Sequence, residues 1–149
     1  MALLTLPTSG TVYVETPIAI YTVEPHPVYA PLLRPLWQAV QAETTQAVSS
    51  ELLLMEALVH PLRRKDAALQ AAYERLLLTA PGVTLLPLTQ EILREAARLR
   101  AEIPGLRTPD ALHAATALLA GCALFLTNDI GFRRVPGLPL VLLDDVLAS

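Results

Sequence analysis

Four acidic residues in this chain stand where solvated surface charge does not belong. Glu15 closes the run TVYVE, Asp129 closes FLTND, Asp110 opens the helical stretch TPDALHAATAL, and Glu56 lies inside SELLLMEALV. Glu56 has the least ordinary setting. Its helical neighbours at i−4, i−3 and i+3 are Leu52, Leu53 and Val59, and no Lys or Arg stands at i±3 or i±4. A lone carboxylate on an apolar face is costly unless it is paired, protonated or bound to a cation, so this position asks for a metal or a distant arginine. The other three have ordinary alternatives: Asp110 suits the positive end of a helix dipole, Asp129 suits a turn, and Glu15 could be solvated beyond its strand. Two such acids could also divide into proton donor and acceptor, as in a carboxylate-pair hydrolase of the glycosidase kind working without metal. Glu51, at the start of the helix that carries Glu56, reads as surface charge at a helix N-terminus.

The elements that must position these acids alternate along the chain. Thr11 to Val14 reads as a strand ending near Pro17, and the prolines at 25, 27, 31 and 35 then make an extended, stop-start stretch. A helix is predicted from Pro35 to about Thr44 and a short strand over Ala47 to Ser49. Ser50 then caps a helix from Glu51 to Val59 that Pro61 closes. Asp66 caps a further helix whose apolar stripe is Leu69, Tyr73, Leu76 and Leu77, ended by Pro81 and Gly82. Val83 to Leu86 is a third strand, and Thr89 caps a helix through Glu102, with Glu91 and Arg94, and Glu95 and Arg98, as i,i+3 pairs. Thr108 and Pro109 start the helix of Asp110, Gly121 stops it, and apolar strands follow at Cys122 to Leu126 and Leu140 to Leu143. Short, nearly all-apolar strands alternating with helices imply an α/β fold with a parallel sheet covered on both faces. In such a sheet, ligands bind outside the carboxyl ends of the strands, which is where Glu15 and Asp129 fall.

The 149 residues, 53% hydrophobic and 17% charged with one cysteine, exclude a disordered tail and a disulfide scaffold. They suit a single domain over residues 1–149, and the low charge fraction suggests a homodimer. A net charge of −3 leaves no global attraction to nucleic acid, so any polyanion must be met locally. The loop cations Arg63, Arg64, Lys65, Arg107, Arg133 and Arg134 are the candidates, with solvated loop charge the ordinary alternative. Arg107 leads them, because it lies three residues before Asp110. His113, at i+3 from Asp110, reads either as a contact supporting the acids or as a satisfied core histidine. Tyr21 and Trp37 are expected to pack rather than stack on bases. MALLTLPTSG has no secretory signal character, and the charge-free stretch Ala111 to Asn128 divides into helix and strand, so a cytoplasmic protein with no membrane span is expected.

In order and spacing, VETPIAIYTVE, SSELLLMEALV, LRTPDALHAATAL and FLTNDIGFRRVPGLPLVLLDD resemble the motifs of PIN-domain proteins, specifically the VapC-like toxin ribonucleases. The resemblance covers nearly the whole chain, and the last two segments are its most specific part. It implies a three-layer α/β/α sandwich, and Glu15, Glu56, Asp110 and Asp129 as four catalytic acids that use Mg²⁺ or Mn²⁺ to cleave RNA. Glu15, Asp110 and Asp129 are then the metal ligands, while Glu56 reaches the ion through water or accepts a proton. Thr16 and Thr127 match hydroxyls that orient metal, water or substrate. A small antitoxin that covers the acidic groove is implied as partner. The chain departs from the pattern twice: Glu15 stands where the family has Asp, and Pro17 where Asn is common. Pro17 removes a donor and biases Thr16 toward extended backbone. Both departures favour the competing expectation of a catalytically weakened PIN module that binds RNA or a partner without cleavage.

Overall fold

The computed structural model describes residues 3–149. Among them, five strands form one parallel sheet in the order β3-β2-β1-β4-β5: β1 (Thr11–Val14), β2 (Gln46–Ser50), β3 (Val83–Leu86), β4 (Leu124–Thr127) and β5 (Leu140–Leu142). Alternation along β1 decides the layers. Val12 and Val14 face one side, where Ile18 of α1 (Thr16–Val23), Leu33, Leu36 and Val40 of α2 (Tyr29–Gln41) and Leu143 of α7 (Leu143–Ala148) cover them. Tyr13 faces the other side and packs with Phe125 against α5 (Gln90–Glu102) and α6 (Thr108–Ala120). The result is the expected three-layer α/β/α sandwich. A third cluster, Ala19, Leu53, Ala57, Tyr73 and Leu77, joins α1 to α3 (Glu51–Arg63) and α4 (Ala67–Glu74).

Several boundaries differ from the sequence reading, and proline explains most of them. Thr16 is the first residue of a helix rather than extended. Pro17 sits in the first turn of α1, where its missing N–H has no helical partner to lose. By the same logic α2 starts at Tyr29 rather than Pro35, with Pro31 in its first turn and Pro35 carried inside at the loss of one backbone bond. Pro61 does not close α3, which runs to Arg63. The helix capped by Asp66 ends at Glu74 and relaxes into a π-helical turn over Arg75–Thr79. At the C-terminus, the predicted strand to Leu143 is β5 followed by α7. Arg98 pairs with Glu95 and also with Glu102, whereas no Glu91–Arg94 ion pair forms among the described residues. No helix among those residues is long and apolar enough to cross a membrane.

Candidate active site

Strand order fixes where a site can form. From β1 the chain steps outward to β2 and β3 on one side, then returns to lay β4 and β5 on the other, so the switch point lies between the carboxyl ends of β1 and β4. Glu15 follows β1 directly, its backbone N–H donating to Leu126 O at 3.0 Å. Asp129 lies two residues past β4. Because α6 leads back into β4, its first turn, with Asp110, lies at this same end of the sheet. The fourth acid arrives on α3, which starts where β2 ends: Ser50 closes the strand and caps the helix, its Oγ accepting from Leu52 N at 3.0 Å.

The acids form a linked cluster. Thr127 Oγ1 donates to Glu15 Oε2 at 3.1 Å and accepts from Asp129 N at 3.2 Å, tying the ends of β1 and β4 together. Asp129 Oδ1 accepts from Gly131 N at 2.8 Å, which aims the carboxylate. Glu15 is buried, and burial raises its carboxyl to about 8. Thr127 opposes that shift, while the charges of Glu56, Asp110 and Asp129 reinforce it. Asp110 is buried too, whereas the Asp129 side chain is 39% exposed. The cluster therefore opens to solvent on the Asp129 side.

Arg107 is the cation that meets these charges. Its guanidinium donates to Asp110 Oδ2 at 3.1 Å and Oδ1 at 3.4 Å, and reaches to 3.8 Å from Asp129 Oδ2. Hydrogen bonding to Asp110 raises its already high pKa, while the side chain stays 70% exposed. Arg133 instead forms a two-point pair with Asp145, and Arg134 donates to the backbone carbonyls of Gly131 and Pro104. Among the described residues, no three His, Cys, Asp or Glu side chains are grouped tightly enough to coordinate one ion as they stand.

Among the described residues, the direct partners of Glu56 are His113 and Thr16 rather than an arginine. His113 Nε2 lies 2.6 Å from Glu56 Oε1, and Thr16 Oγ1 donates to the same oxygen at 2.8 Å. Burial raises the Glu56 carboxyl, but the hydrogen bonds from His113 and Thr16, with the charge of Arg107, outweigh it and bring it below its ordinary value. His113 is buried and also touches Glu56. Tyr13, whose hydroxyl lies 2.6 Å from His113 Nδ1, was not a sequence candidate. Its only signal was an aromatic in a strand next to an acid, which ordinary core packing explains equally well. Tyr21 stacks on Tyr29, and Trp37 Nε1 donates to Thr22 Oγ1, so both pack as expected. Cys122 is a buried free thiol.

The PIN domain family matches residues 12–138, and the chain belongs to that family, whose members are generally nucleases. Solved structures share its fold. A chain of the VapBC2 complex from Rickettsia felis, bound to a DNA fragment from their promoter, superposes with a TM-score of 0.70 at 21% identity, covering 89% of this chain and 98% of that one. A toxin–antitoxin complex from Klebsiella pneumoniae gives 0.60 at 22% identity over 89% and 98% of the two chains. VapBC-5 of the VapBC toxin–antitoxin family, from Mycobacterium tuberculosis, gives 0.58 at 18% identity over 90% and 98%. No curated protein sequence matches the chain. Family membership leaves the carboxylate-pair glycosidase without support.

Proposed function

We propose that this protein is a metal-dependent endoribonuclease, acting in the cytoplasm as the toxin of a toxin–antitoxin pair. The observation that carries the reading is Glu15. It is a carboxylate buried beside three others at the switch point of a PIN sheet, pushed up to about 8 by burial and by the charges of Glu56, Asp110 and Asp129. An all-oxygen donor set of this kind suits a hard divalent ion, Mg²⁺ or Mn²⁺. Glu15, Asp110 and Asp129 would hold it, and the ion would supply charge stabilisation at the phosphate and a more acidic water. Glu56 takes one proton from the attacking water as the water oxygen bonds to phosphorus. The P–O3′ bond breaks, and the leaving 3′ oxygen takes a proton from solvent. Thr16 and Thr127 keep Glu56 and Glu15 oriented through the hydrogen bonds already described.

The substrate polyanion must be met locally by an acidic chain. Arg107 is the best placed cation, since an ion bound to Asp110 and Asp129 would release its guanidinium toward a phosphate. Arg133 and Arg134 are weaker candidates, because each already has intramolecular partners. The antitoxin partner is supported by the VapBC and toxin–antitoxin complexes among the structural relatives. One observation favours the competing reading of a catalytically weakened module: Arg107 already occupies the ground between Asp110 and Asp129, beside a Glu where the family has Asp.

Cleavage of end-labelled single-stranded RNA in Mg²⁺, Mn²⁺ or EDTA, by the natural protein and by Asp129→Asn and Glu15→Asp, separates the two. We expect metal-dependent cutting by the natural protein and a loss of about a hundredfold or more in Asp129→Asn. Cutting by Glu15→Asp alone would mean a weakened module. No cutting by any of the three, with metal bound, would end the ribonuclease assignment.

A further inference from the structure

Behind the acids, a chain of hydrogen bonds runs from the buried Tyr13 through His113 to the part-buried Glu56. Tyr13 on β1 and His113 on α6 are both almost completely buried, and the Tyr13 hydroxyl lies 2.6 Å from His113 Nδ1. On its other side the imidazole meets Glu56: Nε2 is 2.6 Å from Oε1, and Thr16 Oγ1, at 2.8 Å from that oxygen, is 3.3 Å from Nε2. Oε1 thus receives two donors, while no protein donor among the described residues reaches Oε2.

The proton positions follow from the inventory of donors. A carboxylate only accepts, so the contact at 2.6 Å requires a proton on Nε2. A neutral ring protonated there presents Nδ1 as an acceptor, and the Tyr13 hydroxyl is the donor against it. Ser49, the other hydroxyl beside the phenol, donates its own proton to Val14 O at 2.6 Å.

We propose that His113 is a positioning residue for phosphodiester cleavage: Tyr13 fixes its Nε2–H form, which anchors Oε1 of Glu56 and leaves Oε2 as the oxygen that takes the proton of the attacking water. The inference rests on the nuclease reading for its consequence, but not for its geometry. An outer partner that aims a working carboxylate is typically worth about tenfold to a hundredfold in activity.

The first arm of the test needs neither metal nor RNA. In the ¹⁵N-histidine-labelled protein, long-range ¹H–¹⁵N correlation should find His113 neutral with its proton on Nε2, and Tyr13→Phe, which removes one atom, should move the Nδ1 resonance. A proton on Nδ1, or on both nitrogens, overturns the proposal. The second arm is cleavage, run on variants whose thermal unfolding shows them folded. His113→Leu should lower kcat about tenfold or more at unchanged KM, and His113→Gln, whose amide can replace the Nε2–H donor, should recover most of it. His113→Leu at full kcat, or a loss carried by KM, overturns the positioning role. If His113→Leu does not fold, Tyr13→Phe serves in its place, with a smaller fall in kcat expected and an unchanged kcat overturning the role. If the natural protein cuts no RNA, the nuclease reading fails, and the tautomer arm alone then decides whether Glu56 is anchored this way.

Discussion

Glu15 concentrates the cost of the site in one side chain, and its pH dependence has a definite sign. Its proton is held to about 8 in the folded chain against 4.5 as its ordinary value, so between those limits the native state keeps a proton that the unfolded state has released. Stability must therefore fall as pH rises through this window, by up to about 5 kcal/mol if the group titrated alone, and by less within a coupled cluster. Glu56 is shifted the other way, so its contribution is lost only as pH falls below the ordinary carboxylate range, outside this window. Thermal unfolding of the metal-free protein should show a melting temperature that drops from about pH 5 to about pH 8, with Glu15→Gln flattening the slope. A flat profile in the natural protein would contradict the upward shift that burial gives Glu15. The sequence exposed the anomaly at Glu56, because a carboxylate among leucines with no basic neighbour violates a local rule. It left the partner open: His113 is 57 positions away and is brought there by the packing of α6 against the sheet.

Elements whose ends carry their own chemistry were legible, and elements whose prolines suggested a stop were not. Thr89 caps α5 through Ile92 N, and Gly121 ends α6 in the left-handed conformation at φ 65°, each as its residue type requires. Thr11–Val14 and Val83–Leu86 stand as predicted. The helix α1 was hidden because Pro17, read as a terminator, is equally suited to a first turn, and α7 because its six residues, LDDVLA, are too few to show a helical period. The caps also rank the elements by what their loss would do. Ser50 is buried and joins β2 to the helix that carries Glu56, so Ser50→Ala should cost about 1–2 kcal/mol in urea unfolding. Asp66, the exposed cap of α4 through Leu69 N, makes the comparison: Asp66→Ala should cost about 0.5–1 kcal/mol. Equal costs would mean that burial of the Ser50 cap adds nothing.

At the scale of the molecule, the sheet order determines that the acids meet at one end, and it leaves the far surface of α3 to be explained. Met55, Val59 and Leu62 fall at i, i+4 and i+7 of that helix and are 60%, 39% and 55% exposed, on the helix that also supplies Glu56. Three apolar side chains in a row on a helix are more than scattered surface leucine, and they agree with a chain that is 53% hydrophobic and only 17% charged. A stable pair of subunits needs roughly 1,200–2,000 Å² of total buried surface, so the stripe would serve as the apolar centre of a larger patch with a polar rim. We expect light scattering on the eluting protein to give the mass of a dimer, and Met55→Lys with Val59→Lys to give the mass of one chain with the fold intact by circular dichroism, since both positions are exposed. A monomer in the natural protein would remove the homodimer. A dimer that survives both lysines would place its contact away from α3, and the stripe would then be free for the smaller partner that the toxin reading requires.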